Sequence, residues 1–162
     1  MGNRTKITQK EKELLLRDLS ARLPYGIKAT TTANGWRDVY VVSGYNNDRI
    51  YLDCSVYDEG DDEWLVESVK PYLRSMESIT KEELRQLQGI IDECGIATWK
   101  PQIGYDTINE IYINGEIKLG NCIPLVVMVE IVKWLLKHHF DYNGLIKRGL
   151  AIEATEGLYN IK

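Results

Sequence analysis

Apolar positions along this chain recur at helical spacing in three places and alternate in the stretches between them. Leu15, Leu16, Leu19 and Leu23 form the first stripe, the spacing that lines one face of an α-helix. Thr8 and Glu11 stand three apart at its start, a capping box in which each side chain satisfies the other residue's backbone N–H. Pro24 ends the helix, because the residue before a proline avoids the helical region. Thr80 and Glu83 repeat the box, and Leu84, Leu87, Ile90 and Ile91 follow as a second stripe. Cys94-Gly95 is the expected stop. A third helix is expected after Asn121 or Cys122, with Pro124 in its first turn. Its polar stripe, Glu130, Lys133 and Lys137, is narrow, so it should be the most buried element.

The alternating stretches predict strands. Residues 25–32 are rich in β-branched side chains, and Asn34-Gly35 is a strong hairpin signal because both residues tolerate positive φ. Residues 36–45 return as a second strand, with Val39 and Val41 on one face and Tyr40 and Val42 on the other. Asn46-Asn47-Asp48 turns the chain into a third strand over 49–54, completing an antiparallel meander. The acidic run 58–63, DEGDDE, lacks the ligand offsets and closing Glu of a calcium loop and is expected to be a solvated loop. Residues 64–69 predict a fourth strand that Lys70-Pro71 breaks or confines to a sheet edge. Asn114-Gly115 joins 105–113 to 116–119 as a hairpin. After Phe140 the tail is expected to be irregular, punctuated by Gly144, Gly149 and Gly157. The expected fold is α+β: an antiparallel sheet of about five strands (a three-stranded meander plus a hairpin) packed with three helices.

A length of 162 residues implies a single globular domain able to bury a core without disulfides. The net charge of −4 gives no general pull toward nucleic acid, so nucleic-acid binding is not expected. Basic residues concentrate in the first 28 positions, seven against three acids, and are read as a solvated helix face. Between Ile50 and Val69 there are seven acids and no base. Cys54, Cys94 and Cys122 show neither a CxxC pair nor zinc-knuckle spacing, so reduced thiols are expected. The polar opening residues carry no secretion signal, and Glu130 and Lys133 interrupt the apolar run of the third helix. A cytoplasmic protein without a membrane span is the expectation.

Chemistry-bearing side chains gather only after the third helix. His138, His139, Asp141 and Tyr142 could hold a metal or move a proton. Adjacent helical residues point about 100° apart, which disfavours one metal shared by both imidazoles; His138 and Asp141 offer a two-ligand corner and no further histidine exists. Imidazoles at a helix C-terminus also satisfy free carbonyls and complement the dipole, and this is the preferred reading. No nucleophile motif or phosphate loop is present. The ten tyrosines and four tryptophans suit half-buried sheet packing or a contact surface. Arginine beside aromatics, at Trp36-Arg37 and Tyr72-Leu73-Arg74, could stack bases, though cross-strand packing explains it more economically.

Two segments, VKPYLRSMESITKEEL and WLLKHHFDYNGLIKRGLAIEA, resemble a family of small uncharacterised proteins from gut anaerobic bacteria and their phages or mobile elements, in its KPYLR–SxT–EE and HFDYxGLIxxGLA motifs. The resemblance covers the chain from about Val69 onward. It implies a phage or mobile-element setting and supplies no catalytic residues. Together these readings give the expectation of a non-catalytic binding module with a protein partner, no cofactor and no metal. Its contacts would come from the aromatic sheet or the tail, through Trp36, Tyr40, Tyr72, Arg74 and Tyr142. One alternative is a small metal-dependent or acid/base enzyme centred on His138, His139, Asp141 and Tyr142. Another is a weak nucleic-acid binder using the first helix.

Overall fold

The computed structural model describes residues 7–32, 35, 38–53, 61–93, 111–113, 117–119 and 125–159. The expectations placed on Asn34, Trp36, Cys54, Cys94-Gly95, Asn114-Gly115, Cys122 and Pro124 lie outside these. The chain divides into two compact units: residues 1–74 with 143–162, and residues 75–142.

The first unit begins with α1 (Gln9–Arg22), whose N-cap is Thr8 with its Glu11 capping box complete. Leu15 and Leu19 turn fully inward. Between them and beyond them, at the same helical spacing, Asp18 and Arg22 are buried as well. Arg22 was therefore misread as solvated surface. Its guanidinium donates to both Asp18 oxygens, Nε to Oδ2 at 2.6 Å and Nη2 to Oδ1 at 3.0 Å. Asn143 donates a third bond to Asp18 Oδ1 at 2.8 Å. A bidentate pair with added hydrogen bonds is the form in which two charges survive burial.

A mostly antiparallel sheet packs on this helix. It comprises β1 (Lys28–Thr31), β2 (Tyr40–Tyr45), β3 (Arg49–Asp53), β4 (Asp61–Leu65), β5 (Val69–Leu73) and a short β8 (Ile152–Glu153), in the order β4-β3-β2-β1-β5-β8. β1 pairs with β2 as Lys28↔Val41 and Ala29↔Tyr40, a register centred on positions 34 and 35. The β2–β3 turn closes through Asn46, whose backbone N–H donates to Arg49 O at 2.9 Å and whose side-chain oxygen accepts from the Arg49 N–H at 3.1 Å. A bulge between Val42 and Gly44 shifts the register. The core joins Leu15, Leu19, Ile27, Val42, Ile50, Leu52, Val69 and Leu73 to Leu145 and Leu150 of the tail.

Three expectations are corrected in this unit. Residues 61–63 of the acidic run belong to strand β4; at the end of a sheet, acidic side chains are tolerated and discourage edge-to-edge association. Pro71 neither breaks its strand nor marks an edge, since β5 lies between β1 and β8. Thr32 N–H donates to Ser68 O, so hydrogen-bonded pairing with β1 falls on Ser68 and Lys70. Pro71 then occupies a non-hydrogen-bonded position opposite Ala29, where its missing N–H costs the β1 ladder nothing. The tail is not wholly irregular: β8 pairs in parallel with β5, Tyr72↔Ile152 and Leu73↔Glu153. Gly144, Gly149 and Gly157 all have positive φ, as their punctuating role requires.

The tail also closes a gap in the sheet. The β1–β5 register stops at Ala29↔Pro71, and β5 turns to β8 at Tyr72. The Tyr159 hydroxyl fills the fork, accepting from Lys28 N–H at 2.9 Å and donating to Tyr72 O at 2.8 Å. Lys28 Nζ donates to Leu158 O at 2.7 Å and lies 5.6 Å from the centre of the Tyr159 ring, a cation–π placement. Burial pushes the Tyr159 phenol well above the usual tyrosine range.

The second unit contains α2 (Lys81–Glu93), β6 (Ile111–Ile113), β7 (Ile117–Leu119) and α3 (Leu125–Lys137). Thr80 and Glu83 form the expected box, with Thr80 N–H donating to Glu83 Oε2 at 2.9 Å and Glu83 N–H to Thr80 Oγ1 at 3.2 Å. Its core is Ile79, Leu84, Leu87 and Ile91 against Val127, Ile131, Trp134, Leu135 and Phe140. The α3 polar stripe holds as an exposed Glu130–Lys133 pair at 2.7 Å, but Val126 and Val129 are exposed beside it. The β6–β7 hairpin is a separate two-stranded ladder rather than part of the main sheet. With three helices and a six-stranded, mostly antiparallel sheet, the fold is α+β.

Candidate functional site

The chemistry-bearing residues of the sequence meet at the end of α3. Phe140 N–H donates to Leu135 O at 2.9 Å and His139 N–H to Leu136 O at 3.1 Å. These are the two bonds of a Schellman motif, which satisfies the orphan carbonyls of a helix end. The motif needs a left-handed residue at its fifth position, and His139 supplies it at φ 59. Imidazole-bearing residues enter this region more readily than most, though at a cost of about 1–2 kcal/mol relative to glycine. The tail repeats the motif one loop later: Leu150 N–H donates to Leu145 O, Gly149 N–H to Ile146 O, and Gly149 takes the left-handed position.

His138 completes the ending from the side chain. Its Nδ1 lies 2.8 Å from Trp134 O; a carbonyl only accepts, so Nδ1 carries the proton. The Trp134 ring stacks on His138 at 4.1 Å and on Phe140 at 5.6 Å. The latter is the apolar contact that accompanies a Schellman ending. His138, His139 and Asp141 are buried, at 6%, 2% and 7% exposure, whereas Tyr142 is exposed. Among the described residues no group of three His, Cys, Asp or Glu side chains is placed to hold a metal ion.

The described residues expected to make contacts through the sheet or the tail differ in exposure. Tyr72 is buried, Tyr40 is half-buried against the core of the first unit, and Arg74 is half-buried. Tyr142 belongs to the second unit, and Trp36 lies outside the described residues. The first unit presents an aliphatic sheet face. Val39 and Val41 are 46% and 41% exposed, and Leu65 is 38% exposed. The pairings Val41↔Asp53 and Leu65↔Arg49 put Val41 and Leu65 on the face opposite Val42, Ile50 and Leu52. Between them, Tyr51 is held over Gly44, where an added Cβ would sit 3.5 Å from its ring. Asn46 Nδ2 donates to the Tyr51 hydroxyl at 2.7 Å. Arg49 and Glu63 approach to 3.8 Å on the same face, a weak solvent-screened pair. Such a face offers apolar area, one anchored aromatic and paired charges, which is the equipment of a docking surface.

Sequence reasoning divided the β2 side chains correctly between two faces but could not decide which one is open. It also missed Asp18, Arg22, Asn143 and Tyr159. Positions 15, 18, 19 and 22 share one helical face, so the signal for Asp18 and Arg22 was present. No local signal marks Tyr159, whose partners are 87 and 131 residues away. No helix among the described residues is long and apolar enough to cross a membrane. No protein-family model, curated protein or solved structure matches this chain.

Proposed function

We propose that this chain is a non-catalytic interaction module that binds a protein partner through the solvent face of β2, β3 and β4, as an accessory factor of a phage or mobile element. The observation that carries the reading is the exposure of Val41 and Leu65 on one sheet face, on either side of Tyr51. Exposed aliphatic side chains scattered singly need no explanation, whereas a shared apolar face rimmed by charge marks an interaction site. The burial of His138, His139 and Asp141, with His138 and His139 joined in a helix ending, supports a structural role for that cluster. The phage or mobile-element setting rests on the resemblance of the KPYLR and HFDY segments.

The test compares immobilised wild type with Val41→Asp and Leu65→Asp in host-cell lysate. Both positions are exposed, so both variants should fold. A partner retained by the wild type and lost by both variants is the expected result. Identical capture by all three, or turnover of a substrate by the purified protein, would refute the proposal.

A further inference from the structure

We infer that the outer edge of β4 accepts an extended basic peptide as an added strand, with lysine or arginine opposite Glu63 and an apolar residue opposite Leu65. This deepens the preceding proposal and rests on its reading of the sheet face. β4 ends the strand order, and among the described residues it pairs only with β3, along its whole length. Val66 N–H donates to Asp48 O at 3.1 Å, one step beyond the Leu65↔Arg49 pair. In an antiparallel ladder bonded positions alternate. Trp64 and Asp62 therefore direct their backbone groups at β3, and Glu63 and Leu65 direct theirs away from it. An incoming strand meets two such positions about 6.8 Å apart, and these are the two residues whose side chains are exposed on the docking face.

Charge selects the occupant. Self-pairing of β4 between two copies would bring Asp62 and Glu63 against their like, which is unfavourable across strands. The same side chains attract a base. Among the described residues the ion partner of Glu63 is the distant, half-exposed Arg49, and a base on a neighbouring strand can approach more closely. Leu65, exposed on that face, supplies the apolar contact that sets the register of the added strand.

The experiment titrates isotope-labelled full-length protein with a short synthetic peptide of repeating Lys-Thr-Val-Thr, which presents Lys and Val two positions apart on one face, and with its Glu-Thr-Val-Thr counterpart, following backbone amide shifts. The expected result is saturable change centred on residues 61–65 with the Lys peptide alone. Glu63→Lys should weaken that binding about tenfold, from the loss of one attraction and the gain of one repulsion across the strands, and should transfer preference to the Glu peptide. Shifts located elsewhere, equal binding of the two peptides, or indifference to Glu63→Lys would overturn the inference. If Glu63→Lys leaves lysate capture intact while Val41→Asp abolishes it, strand addition fails and the docking face stands. If neither variant alters capture, the docking face fails as well.

Discussion

Replacing Tyr159 with Phe removes one oxygen atom and tests how the tail holds the sheet together. The phenol stands in for the ladder bond that Lys28 and Tyr72 would make if β1 and β5 stayed paired. Its contacts at 2.9 and 2.8 Å are both near ideal length. The variant keeps the ring, and with it the packing and the Lys28 contact, but strips both bonds from half-buried backbone groups. A buried group deprived of its partner costs about 1–3 kcal/mol. Because the ring is only half-buried, water can reach the gap, and we place the total loss at about 2 kcal/mol. For a chain of this size that lowers Tm by roughly 4–8 °C. Urea denaturation followed by circular dichroism should show a lower midpoint with an unchanged slope, and hydrogen exchange should accelerate at the Lys28 amide. Tyr40→Phe is the control, because its hydroxyl makes a longer bond of 3.3 Å to Asp38. Equal stability of Tyr159→Phe and wild type, with Lys28 protection unchanged, would show that the hydroxyl does not hold the fork.

Further expectations follow from the same contacts. The folded-state pKa of Tyr159 is raised, so its contribution to stability is complete below the unfolded value of about 10 and declines as pH rises above it; Tyr159→Phe should flatten that alkaline decline in denaturation midpoints. Arg22→Ala should cost about 3–5 kcal/mol by stranding the buried Asp18 carboxylate, whereas Asp18→Leu with Arg22→Met should cost less than either single change in urea titrations. His139→Gly should be more stable than His139→Ala by about 1 kcal/mol, since both lose the imidazole but only alanine keeps the left-handed strain. The Thr8 backbone N–H, followed by its hydroxyl, holds Glu11 below the ordinary glutamate value. The stability it lends α1 is present above that value and is lost as pH falls through the lowered one; Glu11→Gln should remove this part of the acid sensitivity in pH-dependent thermal melts.

Local chemistry was legible in the sequence. Thr8 and Thr80 announced their helices because a capping box needs only residues three apart. The Asn46 turn followed from side chains that tolerate turn conformations. What escaped depends on distant partners. Pro71 looked prohibitive because its tolerance rests on strand parity and on the point where β5 changes neighbours. β8 is two residues long and leaves no alternation to detect. Arg22 looked exposed because arginine usually is, whereas its guanidinium is buried on the Asp18 carboxylate, which Asn143 also holds. At the candidate site, alternation separated Val41 from Val42, but the position of the helix decided which of them would face water. His138 and His139 were readable as a helix ending, since Schellman geometry is local, although the strain at His139 was not.

The first unit is assembled from chain lying on both sides of the second. Leu145, Leu150 and the Tyr159 hydroxyl leave the ribosome only after all of residues 75–142 have been made. During synthesis the earlier strands must wait with an incomplete core and an open fork at Lys28, while the later-made unit already holds every residue of its own. The unit of residues 75–142 should thus be able to fold before residues 1–74 gain the tail that completes their core.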